Sequence, residues 1–190
     1  MSLSFINTFR GMITDPGETI RKSRSATLGD SIIYFLIVIF IYSVLTALIA
    51  LLLGPINPMP FQAVGNVAEA AVFLVSLVIG GTLALLIVGG IIHICVKIVG
   101  GSGDYTATVR AFAIAESPQA AIGWIPLIGF IASIWALVLM VMGVSEYHKI
   151  STLRAVIAVL LPLLVIVILA VLGLMFFMIA PTSMTVTQIS

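Results

Sequence analysis

Residues Gly100–Ser151 read GGSGDYTATVRAFAIAESPQAAIGWIPLIGFIASIWALVLMVMGVSEYHKIS. Whether the middle of this stretch is a buried helix or a surface loop decides the fold. A glycine-rich loop and Asp104-Tyr105 lead into Thr106–Ile122, a segment that holds Arg110, Glu116 and Gln119 and that a hydropathy window alone passes over. Two stripes of small residues run along it at a spacing of four: Ala107, Ala111, Ala115 and Gly123, then Ala113, Ser117 and Ala121. Such stripes let helix backbones touch, which is how helices associate in lipid, where packing rather than water exclusion drives assembly. A segment this small and this polar belongs inside a helix bundle. Ala111, Ala113 and Ala115 are expected to pack there, and Pro118 to kink the helix and free a carbonyl.

Composition makes that bundle a membrane one. Hydrophobic residues are 62% of the chain and charged residues 8%, with a mean hydropathy of +1.32. A soluble domain carries about 25% charged residues, so this chain could not cover its own surface in water. The net charge of +1 argues against a nucleic-acid partner bound through a basic surface. The single cysteine, Cys95, lies in an apolar run, so no internal disulfide forms. His93 and His148 are far apart in sequence, no zinc spacing exists, and no cofactor is implied.

Downstream of the central segment, a Gly123-Trp124-Ile125-Pro126 turn opens the apolar run Ile125–Met142. Gly129 and Ser133 lie one turn apart there as packing positions. Trp124 reads as an interfacial anchor, and Trp135, in mid-run, as a packing residue. The polar knot Ser145–Lys149 closes the stretch. Leu153–Ile179 is almost wholly aliphatic, with Pro162 expected to kink it. The tail, 181–190, is rich in Thr and Ser and reads as loosely ordered.

Upstream, Ala68–Val99 is too long for an untilted span and carries Gly80-Gly81 and Gly89-Gly90. These glycines read as packing positions, with Gly80 and Ala84 as a pair of small residues one turn apart. His93 and Lys97 share a face. Lys97 can snorkel to the headgroups, and the deeper His93 reads as a hydrogen bonder between helices. Ile32–Leu53 is uninterrupted and charge-free, long enough at ~1.5 Å per residue to cross a ~30 Å hydrocarbon core. A loop with three prolines and no charge separates these two runs. Phe5, Ile6, Phe9, Met12 and Ile13 recur at helical spacing until Asp15-Pro16-Gly17 stops the pattern. That is a short amphipathic helix lying in the membrane interface, with a frayed terminus as the alternative. No cleavable signal peptide is expected.

The positive-inside rule provides an independent check. With five spans, Arg10, Arg21, Lys22, Arg24, Lys97, Arg110, Lys149 and Arg154 all fall on one side. Dropping Thr106–Ile122 would move Lys149 and Arg154 to the other. The expected fold is therefore all-α: a cytoplasmic segment, 1–30, a bundle of five transmembrane helices, 31–180, and an extracytoplasmic tail, 181–190.

This plan resembles the Yip family, the integral membrane proteins that interact with Rab GTPases, and their prokaryotic relatives. The residues that carry the resemblance run from Gly100-Gly101 through Tyr105, Arg110-Ala111-Phe112, Ser117-Pro118, Ile125-Pro126, Ile128-Gly129, Trp135, Gly143 and His148 to Pro162. The Asp15-Pro16 segment resembles the lead-in of the prokaryotic branch. The resemblance implies a five-helix bundle with trafficking or membrane-organising roles in eukaryotes. The long cytoplasmic amino-terminal region of the eukaryotic members is missing, which argues against Rab-type GTPase binding and for a prokaryotic cell membrane.

Three classes of function compete. The first is a non-enzymatic membrane protein that packs with itself, a membrane-protein partner or membrane lipids. The second is a small ion or metabolite transporter or channel, for which Glu116, Ser117, Gln119 and His93 form the candidate intramembrane polar site. Against it, no charged ring or filter-like loop appears. The third is an intramembrane enzyme. Asp15, Asp30 and Asp104 all lie outside the spans, and Ser117 lacks the glycine setting of a nucleophile elbow. The first class is preferred.

Overall fold

A computed structural model of the chain describes residues 3–53 and 66–179, and among these every regular element is a helix. The proline-rich loop and the 181–190 tail of the sequence reading lie outside the described residues.

The amino-terminal helix, α1, covers Phe5–Thr14. Its apolar side is divided. Met12 is fully buried and belongs to the main core, while Ile6 and Ile13 are exposed. Phe5 and Phe9 stack at 5.5 Å, and Phe5 meets Tyr34 of the first long helix at 5.4 Å. The Asp15-Pro16 pair does more than stop α1. Asp15 Oδ1 accepts from the Glu18 N–H at 3.1 Å and Pro16 occupies the first turn, so a second helix, α2 (Pro16–Lys22), starts at once. A 3₁₀ turn follows at Ser23–Ser25.

The first long helix, α3, runs Leu28–Leu53. It begins four residues before the apolar run because Thr27 and Asp30 cap it reciprocally. The Asp30 N–H donates to Thr27 Oγ1 at 3.1 Å, and the Thr27 N–H donates to Asp30 Oδ2 at 3.0 Å. Helix α4 is one continuous helix, Val67–Ile98, capped by Asn66. Its glycines divide by face. A Cβ on Gly80 would meet nothing within 4 Å, so the expected Gly80–Ala84 packing position faces outward. Gly81 makes the close approach instead: a Cβ there would come 3.1 Å from Ile39 Cγ1 on α3.

Helix α5, Tyr105–Ala115, is started by Asp104, whose Oδ1 accepts from the Ala107 N–H at 2.9 Å. It packs against α3, α4 and the next helix, α6 (Ile128–His148). Val109, Ala111 and Ala113 are 0% exposed and Ala115 1%. At Gly143 of α6 a Cβ would come 2.9 Å from the Ala111 Cβ, so the two backbones touch where both residues are small. The central position expected of the small-residue segment is the one it has.

After Ala115 the α-helical pattern breaks, because Pro118 has no N–H to give the Ile114 carbonyl. The chain continues as a π-helical segment, Gln119–Gly123, and turns through Trp124–Leu127 into α6. Leu127 takes a positive φ (68°) at the centre of a tight turn in which the Ile128 N–H donates to the Pro126 carbonyl at 2.8 Å, and the Gly123 carbonyl lies directly over Gly129, where no Cβ fits. Trp135 does not pack inside as expected; it is 45% exposed on the outer face of α6. The polar knot is helical. It is the last turn of α6, ended by Lys149 in the left-handed conformation. Helix α7 then runs Thr152–Ile179 with Pro162 inside it.

Three of these helices are long and apolar enough to cross a membrane: Leu28–Leu52, Val67–Ile98 and Ile128–His148. Helix α7 is 28 residues long, and α5 is cut short by its break at Glu116. A five-span count needs α5 and α7 as well.

Candidate functional site

Helix α5 carries a polar group at each of several levels, and each is held by a different neighbour. Near its start Thr108 is fully buried between two histidines. Its Oγ1 lies 2.8 Å from His93 Nδ1 on α4 and 2.9 Å from His148 Nε2 on α6. A hydroxyl has one proton and two lone pairs, so one imidazole presents an N–H and the other a lone pair. His148 is 0% exposed, and among the described residues its Nδ1 has no partner. Gly103 closes over that nitrogen, where a Cβ would come within 2.7 Å. The Ser102 N–H donates to the His148 carbonyl at 3.0 Å, and the Ser102 hydroxyl at 3.1 Å. The glycine-rich loop is thus a cap fitted to the end of α6.

Two residues along, Arg110 is 7% exposed with no carboxylate partner among the described residues. Its guanidinium donates to the Arg24 and Ala26 carbonyls and lies 5.1 Å from the centre of the Tyr147 ring. Carbonyl dipoles and a ring face balance this buried charge. Tyr147 in turn donates to the Ile20 carbonyl at 2.8 Å, and Arg24 pairs with Glu146 at 3.0 Å. These bonds clasp the segment before α3 to the ends of α5 and α6.

The four candidate residues are not brought to one place. His93 meets Thr108, eight residues before Glu116 and ~12 Å away along a helix axis. Ser117, fully buried, donates to the Ile114 carbonyl at 2.6 Å, taking up the acceptor that Pro118 leaves free. The Tyr34 hydroxyl of α3 is 2.7 Å from Ser117 Oγ and donates to it, since the serine proton is already engaged. Gln119 donates through Nε2 to Ser133 Oγ at 3.0 Å, and Ser133 donates to the Gly129 carbonyl at 3.0 Å, which fastens the π segment to α6. Glu116 caps the broken end of α5, half-buried; its N–H donates to the Ile114 carbonyl and its carbonyl accepts from the Gln119 N–H at 3.0 Å, while its carboxylate has no hydrogen-bond partner among the described residues. Among the described residues no group of three His, Cys, Asp or Glu could hold a metal ion.

Thr108, His148, Tyr34 and Tyr147 were missed as partners by the sequence reading. Arg110 was read there for its charge and for the family resemblance, not for its partners. A helical projection of α5 puts Thr108, Ala111 and Ala115 on one side, a faint signal, but nothing in the sequence tells which helix faces that side.

No curated protein and no solved structure matches the chain. A family profile, the Yip1 domain, matches residues 10–175. That range takes in α3 to α6, the α5 break, the glycine-rich loop and most of α7, so the chain belongs to the Yip1 domain family of membrane proteins.

Proposed function

We propose that the protein is a non-enzymatic, multi-pass membrane protein that organises a membrane or binds a membrane partner or lipid. In this reading α3, α4, α5 with its π segment, α6 and α7 are five spans. The amino terminus faces the cytoplasm, α1 rests in the interface with Ile6 and Ile13 toward lipid, and the home is a prokaryotic cell membrane. Homo-oligomers or another membrane protein are the protein partners it fits.

One observation carries the reading. The polar-marked helix at the centre is packed shut by Ala111, Ala113 and Ala115, each 0 to 1% exposed. Its polar side chains fasten helices rather than line a path. Purified protein in liposomes is the test: the reading predicts no flux of protons, sodium, potassium or chloride above empty vesicles. A clear flux would overturn it.

A second reading, a small transporter, has Glu116 in its favour. It is a carboxylate without a hydrogen-bond partner among the described residues, placed at a helix break and followed by a π segment, a feature frequent at functional sites.

A further inference from the structure

We propose that the Gly100–Gly101 turn and the helix ends around it bind an anionic phospholipid of the leaflet on the amino-terminal side. This inference rests on the lipid-binding reading above and gives it a place and a headgroup charge. The site begins with two cations at one turn. Lys97, in the last turn of α4, donates to the Gly101 carbonyl at 3.3 Å. Arg154, in the first turn of α7, reaches Gly100, where a Cβ would come 3.7 Å from its Nη1. Gly100 allows this crossing of chain and side chain through its φ of +92°. Helices α4 and α7 pack side by side.

The cations at this turn are not ion-paired. Among the described residues the ion pairs are Lys22–Glu18 and Arg24–Glu146, and neither Lys97 nor Arg154 has a carboxylate partner. Asp104, the one acid in the adjoining loop, is engaged as the cap of α5. Lys149 adds a third cation beside the loop, directly after His148, whose carbonyl accepts from Ser102. Arg154 also stands at the positive end of the α7 dipole with no acidic residue in that turn. A cation there is disfavoured unless an anion joins it.

Beneath the charges lies apolar surface on the same two helices. Ile94 is 61% exposed on α4 and Ile157 47% exposed on α7. Ile94 is three residues from Lys97 and Ile157 three from Arg154, both on the side away from the loop, so each cation stands above an apolar side chain of its own helix. A phosphate at the turn with acyl chains along these side chains satisfies both halves of the surface. A zwitterionic lipid brings its own ammonium to three cations and gains far less.

The test is native mass spectrometry of the full-length protein in detergent. Phosphatidylglycerol and phosphatidylcholine of identical acyl chains compete for it. The wild type should retain the anionic lipid on the order of tenfold better. The double variant Lys97→Gln/Arg154→Gln should lose that preference, and the charge-keeping Lys97→Arg/Arg154→Lys should retain it, which separates the site from any folding defect. Arg10→Gln/Arg21→Gln, on the amino-terminal segment, should behave as wild type. Equal retention of both lipids by the wild type would overturn the site while leaving lipid binding intact. So would a Lys97→Gln/Arg154→Gln variant that keeps its preference, or an Arg10→Gln/Arg21→Gln variant that loses it. Protection by inorganic phosphate as strong as by phosphatidylglycerol would overturn the acyl-chain half. A protein that retains neither lipid would overturn this site and the broader lipid-binding reading together.

Discussion

Glu116 and Ser117 are neighbours in sequence with opposite surroundings. The Ser117 hydroxyl is engaged twice, by Tyr34 and by the Ile114 carbonyl. Ser117→Ala orphans the buried Tyr34 hydroxyl and removes one of two donors to the Ile114 carbonyl, so it should lower stability by about 1–3 kcal/mol, read as a drop in melting temperature in detergent. Tyr34→Phe leaves Ser117 still donating to Ile114, so its loss should be clearly smaller. Equal losses would mean that the chain of bonds is not directed as described. Glu116→Gln keeps shape and hydrogen-bonding capacity and removes the titratable proton. In the packing reading it should express, melt and behave like the parent. In the transport reading it should fold normally and lose any pH-dependent flux. A variant that fails to fold would count against both, because the negative charge itself would then be structural. At this scale the sequence was a partial guide. The need for a partner at the carbonyl freed by Pro118 was legible, because proline lacks an N–H. Its identity was not, since a serine one residue earlier is as local a solution as any remote carboxyl. His93 was readable as a helix-to-helix hydrogen bonder, yet its partners Thr108 and His148 lie on helices whose facing sides only the packing fixes.

Among the elements, α5 is the one whose substitution should tell most. Ala113→Leu or Ala115→Leu inserts three carbons where exposure is 0 and 1%, and overpacking of this kind costs about 1–3 kcal/mol. Val165→Leu, at 45% exposure on α7, should leave the melting temperature unchanged. Equal melting of all three would show α5 to be peripheral. Glycines provide a second contrast. Gly143→Ala drives a methyl to 2.9 Å from the Ala111 Cβ, so it should destabilise, whereas Gly80→Ala enters open space and should not lower the melting temperature. The small-residue stripes made the central place of α5 legible in advance, because only a crowded helix needs them. The glycines of α4 were not sorted by the same rule, since a pattern of small residues is blind to which face meets a neighbour. The second helix, α2, and the early start of α3 were both missed. Their signals were polar caps, Asp15 with Glu18 and Thr27 with Asp30, outside the apolar runs that were followed.

Over the whole molecule, the account turns on one end of the bundle. The glycine-rich loop caps His148, Arg110 holds the turn before α3, and Arg24 meets Glu146. The segment before α3, the loop after α4 and the end of α6 therefore lie together, as they must if α5 with its π segment crosses the membrane as the third span. The basic residues had placed these segments on one side by count alone. Among the described residues, length and apolarity alone mark three helices as spans, because the break at Glu116 cuts α5 to 11 residues. Cysteine labelling in intact cells measures this directly, with Cys95→Ser as the background. Ser102→Cys and Lys149→Cys should react with a membrane-impermeant maleimide only after the membrane is opened, and Asn57→Cys and Ser183→Cys should react from outside. Labelling of Lys149→Cys from outside in sealed cells would remove the third span, and with it the five-span bundle centred on α5.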